Sequence, residues 1–208
     1  MIRLDCFDLD GTLTRTDTFR FVAEKLGFLD IVLHFEEELK SGRLKDNKQV
    51  AQDTAFKFKG ISLDTVNDLL SGILEISNIG PAVSRLKERG IVPVLASIQW
   101  SFLVEPFAVK YGFNDYCGTA MKVIGGVLTG EIESYCTSED KLQFFRRTCD
   151  NLGISVHEAV AIGDSRSDHP VFRAAGTSIA LNADEETKRM ATHSIDTGDM
   201  LDILEYFR

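Results

Sequence analysis

The stretch Ile-Arg-Leu-Asp-Cys-Phe-Asp-Leu-Asp-Gly-Thr, residues 2–12, decides the fold of this chain. Its short apolar run from Ile2 to Phe7 predicts a strand, and two carboxylates, Asp8 and Asp10, follow directly. Because side chains alternate between the faces of a strand, both carboxylates point the same way. At the ligand-binding edge of an α/β sheet, such a pair requires a cation, a shared proton or a bound phosphate with a metal. The alternative is an ordinary surface turn.

Two further apolar segments, at 91–96 and 159–162, also end at polar residues. Ser97 follows the first segment, and Asp164 follows the second after one glycine. Parallel strands place their carboxyl ends at the same edge of a sheet. We therefore expect Asp8, Ser97 and Asp164 to meet at one edge.

Strands and helices alternate along most of the chain. A capping box from Thr137 to Asp140 predicts a helix that runs to Leu152. Pro81 is placed at the first position of an earlier helix, which runs to Arg89 and ends at Gly90. The other predicted elements are helices at 82–89, 101–110, 169–175, 184–191 and 199–206, strands at 91–96, 159–162 and 177–181, and a hairpin over 121–129. This order predicts an α/β fold, a doubly wound, Rossmann-like parallel sheet between layers of helices.

Residues 17–73 interrupt this alternation with helical periodicity and no strand signal. Breaks divide the segment into about four helices, at Gly27, Ser41-Gly42, Gly60 and Gly72. We expect a core domain made of residues 1–13 and 78–208, and an α-helical cap domain made of residues 14–77.

Composition narrows the class of protein. The chain has 208 residues, of which 44% are hydrophobic, so one core with a smaller insert is expected. Its formal charge of −9 argues against nucleic acid or an anionic membrane as a partner. The four cysteines show no C-x-x-C spacing, and there is no leader or long apolar window. We expect a cytoplasmic protein in a reducing environment.

Four motifs then stand in register: the stretch from Asp8 to Thr14, Ser97 after a strand, Lys141 in the first turn of a helix, and Asp164 with Asp168. They resemble the four motifs of haloacid dehalogenase superfamily phosphatases. The helical insert after the first strand, and the sequence Gly-Val-Leu-Thr-Gly at 126–130, resemble the phosphoserine phosphatase branch of that superfamily. The resemblance covers nearly the whole chain.

The resemblance implies that Asp8 is a nucleophile that forms an aspartyl phosphate, which divides one hard hydrolysis into two displacements. A carboxylate that only binds metal is the alternative for Asp8. Asp10 would protonate the leaving oxygen and later take a proton from water, as a carboxyl with a raised pKa can do. Dehalogenating relatives lack this second aspartate, so phosphate chemistry is favoured.

The implied cofactor is Mg²⁺, which prefers oxygen ligands. Its protein ligands would be the Asp8 carboxylate, the backbone carbonyl of Asp10 and Asp164. Asp168 would hold a metal-bound water or orient Lys141, and an acid at a helix N-terminus is the alternative for it.

Four residues are expected to contact the substrate. Ser97 would donate a hydrogen bond to a phosphate oxygen, and Lys141 would supply a fixed positive charge. Thr12 would stabilise either the loop or the phosphate, with an ordinary turn threonine as the equal alternative. Asp17 stands where the phosphoserine phosphatases carry a glutamate for the amino group of the substrate.

The cap departs from that branch at the positions that select the substrate. Thr54 stands near the position of an arginine that pairs with the substrate carboxylate, and a hydroxyl cannot replace a guanidinium. Lys57 lies one turn away and is the possible substitute, but an exposed helix lysine is the stronger explanation for it. Ser97-Ile98-Gln99 replaces the Ser-Gly-Gly of the family. The sequence therefore does not predict phosphoserine itself.

These observations predict a Mg²⁺-dependent phosphomonoester hydrolase that acts on a small phosphorylated metabolite. One alternative is a phosphotransferase, in which an acceptor other than water takes the phosphoryl group from Asp8. The other is a binding module that senses a phosphorylated ligand without turnover.

Overall fold

A seven-stranded sheet forms the centre of residues 1–207, the part of the chain that this computed structural model describes. Its strands are β1 (Leu4–Phe7), β2 (Val92–Trp100), β3 (Tyr116–Ile124), β4 (Val127–Ser134), β5 (Ala159–Gly163), β6 (Thr177–Leu181) and β7 (His193–Ile195). The spatial order is β4-β3-β2-β1-β5-β6-β7, and every neighbouring pair is parallel except the hairpin β3–β4. The predicted doubly wound parallel sheet is confirmed.

Helices cover the sheet and fill the predicted insert. They are α1 (Thr18–Lys25), α2 (Leu29–Lys40), α3 (Lys48–Thr54), α4 (Leu63–Leu70), α5 (Ile79–Glu88), α6 (Ser101–Tyr111), α7 (Ser138–Leu152), α8 (His169–Ala174) and α9 (Glu185–Met190). Short 3-10 turns lie at Ala55–Phe58, Val156–Glu158, Arg166–Asp168 and Met200–Tyr206. The helices α1–α4 lie between β1 and α5, so the predicted insert of four helices is confirmed. We call residues 14–77 the cap segment.

Alternation along β1 produces two packed layers. Phe7 faces a large apolar cluster that includes Leu95, Val160 and residues of α5 and α6. Leu4 and Cys6 face the opposite cluster, which includes residues of α7 and α8. Since both faces of β1 are buried, the strand has no polar, solvated side.

An aromatic cluster joins the cap segment to the sheet. Phe58, which is fully buried, lies 4.9 Å from Phe102 and 5.8 Å from Trp100 between ring centroids. It also packs against Phe19 and Phe28 of the cap segment, at 6.0 and 5.5 Å. Buried aromatic pairs of this kind stabilise a fold beyond the area they bury. The cap segment therefore shares one hydrophobic core with the sheet.

The structure corrects four sequence predictions. Ser97 lies inside β2, because the strand passes through an irregularity after Ala96 and pairs again at Trp100. The last predicted helix is a 3-10 helix, Met200–Tyr206. Pro81 is the third residue of α5, and the short strand β7 was not predicted. Periodicity alone does not distinguish a short edge strand from a loop.

Two further expectations concern cysteines and membranes. Cys6, Cys117, Cys136 and Cys149 are all free thiols. The Sγ atoms of Cys117 and Cys136 are 3.8 Å apart. Among the described residues, no helix has both the length and the apolar character needed to span a bilayer. A cytoplasmic location stays a prediction.

Asp5 is an unexpected acid in the middle of β1. Its side chain is fully buried, and neither carboxyl oxygen has a hydrogen-bond partner among the described residues. Burial raises its pKa well above the usual range. An unpartnered carboxyl in an apolar core costs stability, and the cost grows once the group ionises.

We expect Asp5→Val to raise the free energy of unfolding by about 1–3 kcal/mol at pH 8. Because the folded-state pKa of Asp5 lies above its unfolded value, the ionisation penalty is absent below the unfolded pKa and grows as the pH rises. The gain should therefore be larger at pH 8 than at pH 5 in denaturant unfolding. Glu133→Val, at an exposed position of β4, is the control and should show no such pH dependence. A loss of stability at pH 8 would contradict the expectation.

Candidate active site

A buried ion-pair chain lies where β1 ends. The backbone N–H of Asp8 donates to the carbonyl of Ile162, which extends the pairing of β1 with β5. The Nζ of Lys141, from the first turn of α7, is 2.9 Å from Asp8 Oδ1 and 2.6 Å from Asp168 Oδ1. The three side chains are only 2–7% exposed. The predicted residues Asp8, Lys141 and Asp168 are therefore in direct contact.

Burial and charge act against each other in this chain. Burial, followed by repulsion from Asp168, raises the pKa of Asp8 to about 7 even though Lys141 opposes the shift. Burial would lower the pKa of Lys141, but the charges of Asp168 and Asp8 outweigh it and raise that pKa above its ordinary value. Lys141 therefore stays positively charged.

Asp164 adds a third carboxylate beside the chain. One carboxylate oxygen from each of Asp8, Asp164 and Asp168 lies within 4.8 Å of the others. Burial, together with repulsion from Asp8 and then Asp168, raises the pKa of Asp164 to about 8. Its Oδ1 atom is buried and has no hydrogen-bond partner among the described residues. Clustered oxygen donors of this kind fit a hard divalent cation such as Mg²⁺.

Two glycines make this acidic cluster sterically possible. Gly11 has a φ of +76°, and a Cβ there would lie 2.1 Å from Asp164 Oδ2. A Cβ at Gly163 would lie 2.2 Å from Asp168 Cγ. Both distances are far below van der Waals contact, so any larger residue would displace an acid of the cluster.

Asp168 has hydrogen bonds on both of its carboxylate oxygens. Oδ1 accepts from Lys141, and Oδ2 accepts from the backbone N–H groups of Asp164 and Ser165, each at 3.1 Å. It also ends the 3-10 turn that precedes α8. The contacts thus agree with the predicted orientation of Lys141 and also with the alternative of an acid at a helix N-terminus.

Asp10 is held by residues that the sequence analysis missed. Its Oδ1 accepts from the Thr18 backbone N–H at 2.8 Å and from Thr14 Oγ1 at 3.2 Å, and its Oδ2 accepts from Thr18 Oγ1 at 3.1 Å. Burial, followed by repulsion from Asp17, raises the pKa of Asp10 well above its usual range. An oriented carboxyl with a raised pKa is suited to proton transfer.

Ser97 and Thr12 differ in their access to the site. Ser97 lines a cavity of about 280 Å³ together with Asp8, Asp10 and Asp164, and its Oγ accepts from the Gln99 backbone N–H at 3.2 Å. Thr12 is buried, does not line this cavity, and its Oγ1 lacks a partner among the described residues. The structure therefore brings Ser97, but not Thr12, to the cavity wall.

Asp17 lies at the entrance to the cap segment. It caps α1, since its Oδ1 accepts from the Arg20 backbone N–H at 2.8 Å. Its Oδ2 accepts from Gln99 Nε2 at 3.2 Å, and its side chain lines the same cavity as Ser97. The sequence analysis missed this role of Gln99, whose side chain connects β2 to Asp17 through the hydrogen bond.

Neither Thr54 nor Lys57, which stand at and near the position of the cap arginine, lines the cavity. Thr54 is buried and donates to the carbonyl of Val50 at 2.7 Å. The Nζ of Lys57 lies over the ring of Phe56, 5.1 Å from its centroid. Lys57 lines neither this cavity nor the cavity of about 150 Å³ beside it, which is lined mainly by α1–α3 and the end of β2. Neither residue supplies a positive charge to the cavity.

Comparison with known proteins agrees with this geometry. The sequence model of the haloacid dehalogenase-like hydrolases matches residues 6–173, so the chain belongs to this family. Within the family it resembles phosphoserine phosphatases and is a phosphatase. The phosphoserine phosphatase of Albidiferax ferrireducens is 26% identical over 99% of this chain and 90% of its own length. That of Methanocaldococcus jannaschii is 26% identical over 99% and 98%.

Solved structures give the same result. A structure described as a phospho-aspartyl intermediate analogue of phosphoserine phosphatase superposes with a TM-score of 0.84. It is 26% identical and covers 99% of this chain and 98% of its own. Similarity over the full length of both chains includes the cap segment as well as the sheet.

We expect Lys141→Met to destabilise the protein by about 3–5 kcal/mol in metal-free buffer at pH 7.5. The substitution leaves the buried Asp8 and Asp168 without their shared cation. Denaturant unfolding measures the change. Lys188→Met removes a half-buried lysine whose partners Asp196 and Glu185 are exposed, and should change stability little because those carboxylates stay in water. Equal effects of the two substitutions would contradict a special role for the buried pair.

The side chain of Asn47 links the cap segment to β2 and to the loop before α7. Its Nδ2 donates to the carbonyls of Ile98 and Cys136, at 2.9 and 3.1 Å. Asn47→Ala should weaken this attachment by about 1 kcal/mol and increase amide hydrogen exchange in α3. Asn67→Ala, at an exposed position of α4, is the control. Unchanged exchange in α3 would show that the two bonds do not hold the helix.

Proposed function

We propose that this phosphatase is a Mg²⁺-dependent phosphomonoester hydrolase that acts on a small phosphorylated metabolite through an aspartyl phosphate on Asp8. The observation that carries the proposal is the buried chain of Asp8, Lys141 and Asp168 beside a cavity that also contains Asp10. The nearby relatives that are named phosphoserine phosphatases support the same chemistry. The cavity volume of about 280 Å³ supports a small substrate.

In the first step, the Asp8 carboxylate attacks phosphorus, and the bond between phosphorus and the ester oxygen breaks. Asp10 donates a proton to that departing oxygen, which leaves as a neutral alcohol. In the second step, Asp10 takes a proton from water as the water oxygen attacks phosphorus, and Asp8 is released. The contacts of Thr14 and Thr18 hold Asp10 in one orientation for both transfers.

Ser97 and Lys141 stabilise the phosphoryl group. The Ser97 hydroxyl lies in the cavity wall and donates to a phosphoryl oxygen. Lys141 supplies a positive charge that Asp168 keeps in place, and such preorganised charge is the main contribution of a protein to phosphoryl transfer. Thr12 is assigned to the loop rather than to the substrate, because it does not line the cavity and, unlike Lys141, forms no side-chain hydrogen bond to the acids among the described residues.

The acidic cluster fits a magnesium ion. The carboxylates of Asp8 and Asp164 and the backbone carbonyl of Asp10 would hold it, with Asp168 orienting Lys141 beside them. When bound, Mg²⁺ neutralises negative charge on the phosphate and on the carboxylates. The unpartnered Oδ1 of Asp164 supports this assignment.

We also propose a division of labour between a core domain, residues 1–13 and 78–208, and a cap domain, residues 14–77. An isolated bridge joins Thr14 to Glu75 at the two ends of the inserted segment, and a second joins Ser62, directly before α4, to Val127 of β4. The acidic cluster of Asp8, Asp164 and Asp168 and its partner Lys141 lie in the proposed core, whereas Asp17 lies in the proposed cap. The core would perform the reaction, and the cap would select the substrate.

The test of this function is phosphate release from 4-nitrophenyl phosphate. Asp8→Asn and Asp8→Ala should lose about 10³-fold or more in kcat, since the nucleophile is removed. Asp10→Asn should lose about 10²–10⁴-fold. Chelation with EDTA should stop wild-type turnover, and added Mg²⁺ should restore it.

Asp68→Asn, an exposed change on α4, is the control and should keep wild-type turnover. Wild-type rates in Asp8→Ala would refute the assignment. Phosphorylated alcohol among the products, in the presence of added alcohols, would indicate a phosphotransferase. Tight binding of phosphate esters without turnover in the wild-type protein would indicate a sensing module.

A further inference from the structure

We call the cavity of about 280 Å³ that is lined by Asp8 and Asp10 the catalytic cavity. A second cavity lies next to it beneath the cap segment. It has a volume of about 150 Å³ and shares Asp17, Ile98 and Gln99 with the catalytic cavity. We call it the cap cavity. Because the two cavities share these residues, the cap cavity lies next to the place where the leaving group of a phosphate ester bound at Asp8 would begin.

The walls of the cap cavity are mainly apolar. Most of the side chains come from α1–α3 and the end of β2, chiefly Phe19, Val32, Phe35, Leu39, Val50 and Trp100. An apolar cavity of about this volume accommodates a molecule the size of benzene. Burial of a compact hydrocarbon group there is favourable because the group leaves water.

The charges around the cap cavity oppose a carboxylate. Asp17 and Glu36 line it, and among the described residues no lysine or arginine does. The guanidinium of Arg20 pairs with both carboxylate oxygens of Glu36, so its charge is already matched. Since Arg20 also balances the charge of Glu36, a substrate carboxylate would meet Asp17 and no free cation among the described lining residues, whereas apolar atoms would meet favourable contacts.

Arg15 is the cation at the rim of the neighbouring catalytic cavity. Its side chain is exposed, and its guanidinium lies 3.5 Å from the carbonyl of Gly198. It is not among the residues that line the cap cavity. The positive charge of Arg15 therefore does not change the character of the cap cavity.

We infer that the substrate is the phosphate monoester of a compact apolar alcohol without a carboxylate, with an aromatic or branched aliphatic group of about six carbons. This group occupies the cap cavity while the phosphate lies at Asp8. Asp17 and Gln99, at the junction, meet any hydrogen-bond donor next to the ester oxygen. The inference rests on the proposed function and names the substrate class of the same site.

The wild-type protein with Mg²⁺ provides the first test, by comparison of kcat/KM for benzyl phosphate, ethyl phosphate and L-phosphoserine. Benzyl phosphate should exceed L-phosphoserine by about 10²-fold or more, because it fills the cap cavity and brings no carboxylate. It should also exceed ethyl phosphate by about 10-fold or more, since ethyl phosphate leaves the cavity unfilled.

A matched pair of substitutions on α2 provides the second test. Leu39 lines the cap cavity, whereas Leu33 is exposed on the same helix. Leu39→Phe should fill part of the cavity and lower kcat/KM for benzyl phosphate by about 10-fold, mainly through KM. Its effect on kcat/KM for ethyl phosphate should be smaller, since the ethyl group leaves the cavity largely unfilled. Leu33→Phe should leave both values unchanged.

The outcomes separate the two proposals. If L-phosphoserine equals or exceeds benzyl phosphate in the wild type while Asp8→Ala is inactive, the inference on substrate class is overturned and the proposed function stands. An equal effect of Leu39→Phe on benzyl and ethyl phosphate also overturns it. If the wild type releases phosphate from none of these esters or from 4-nitrophenyl phosphate, both proposals fail.

Discussion

The buried contact of Lys141 with Asp8 and Asp168 is the interaction on which the rest of the site depends. It joins β1, α7 and the turn before α8, which lie far apart in the chain. Charges this deeply buried are tolerated only when they are paired. The capping box at Thr137 starts α7 at the position that brings its first turn, and therefore Lys141, to the end of β1. One ion-pair chain thus aligns three elements of the sheet edge.

The same edge concentrates more acid than one lysine can neutralise. Asp164 and Asp10 lie beside the chain, and the pKa of each carboxyl is raised by burial and by neighbouring acids. Crowding of buried carboxylates costs folding free energy, and such crowding is typical of sites that bind a cation or perform chemistry. Gly11 and Gly163 permit this crowding, because a side chain at either position would occupy the space of an acid.

Apolar packing and neutral hydrogen bonds, rather than buried ion pairs, attach the cap segment to the sheet. Apolar packing around Phe58 joins it to β2 and α6, and the side-chain amide of Asn47 supplies polar contacts to Ile98 and Cys136. Between these attachments lies the cap cavity, with apolar walls and two carboxylates. The acidic cluster at the sheet edge and the walls of the cap cavity are therefore built largely from different residues, and the two cavities share Asp17, Ile98 and Gln99.

The sequence by itself determined the alternation of strands and helices along the chain and placed Asp8, Ser97 and Asp164 at one edge of a parallel sheet, because the carboxyl ends of parallel strands meet there. Lys141 joined them only through the resemblance of its motif to the family. Only the tertiary structure decided that Ser97 lies within β2, that Thr14 and Thr18 orient Asp10, and that Lys57 faces away from the site. It also decided which cap side chains surround a cavity. Helical periodicity identifies an apolar face, but the packing of several helices determines what that face contacts.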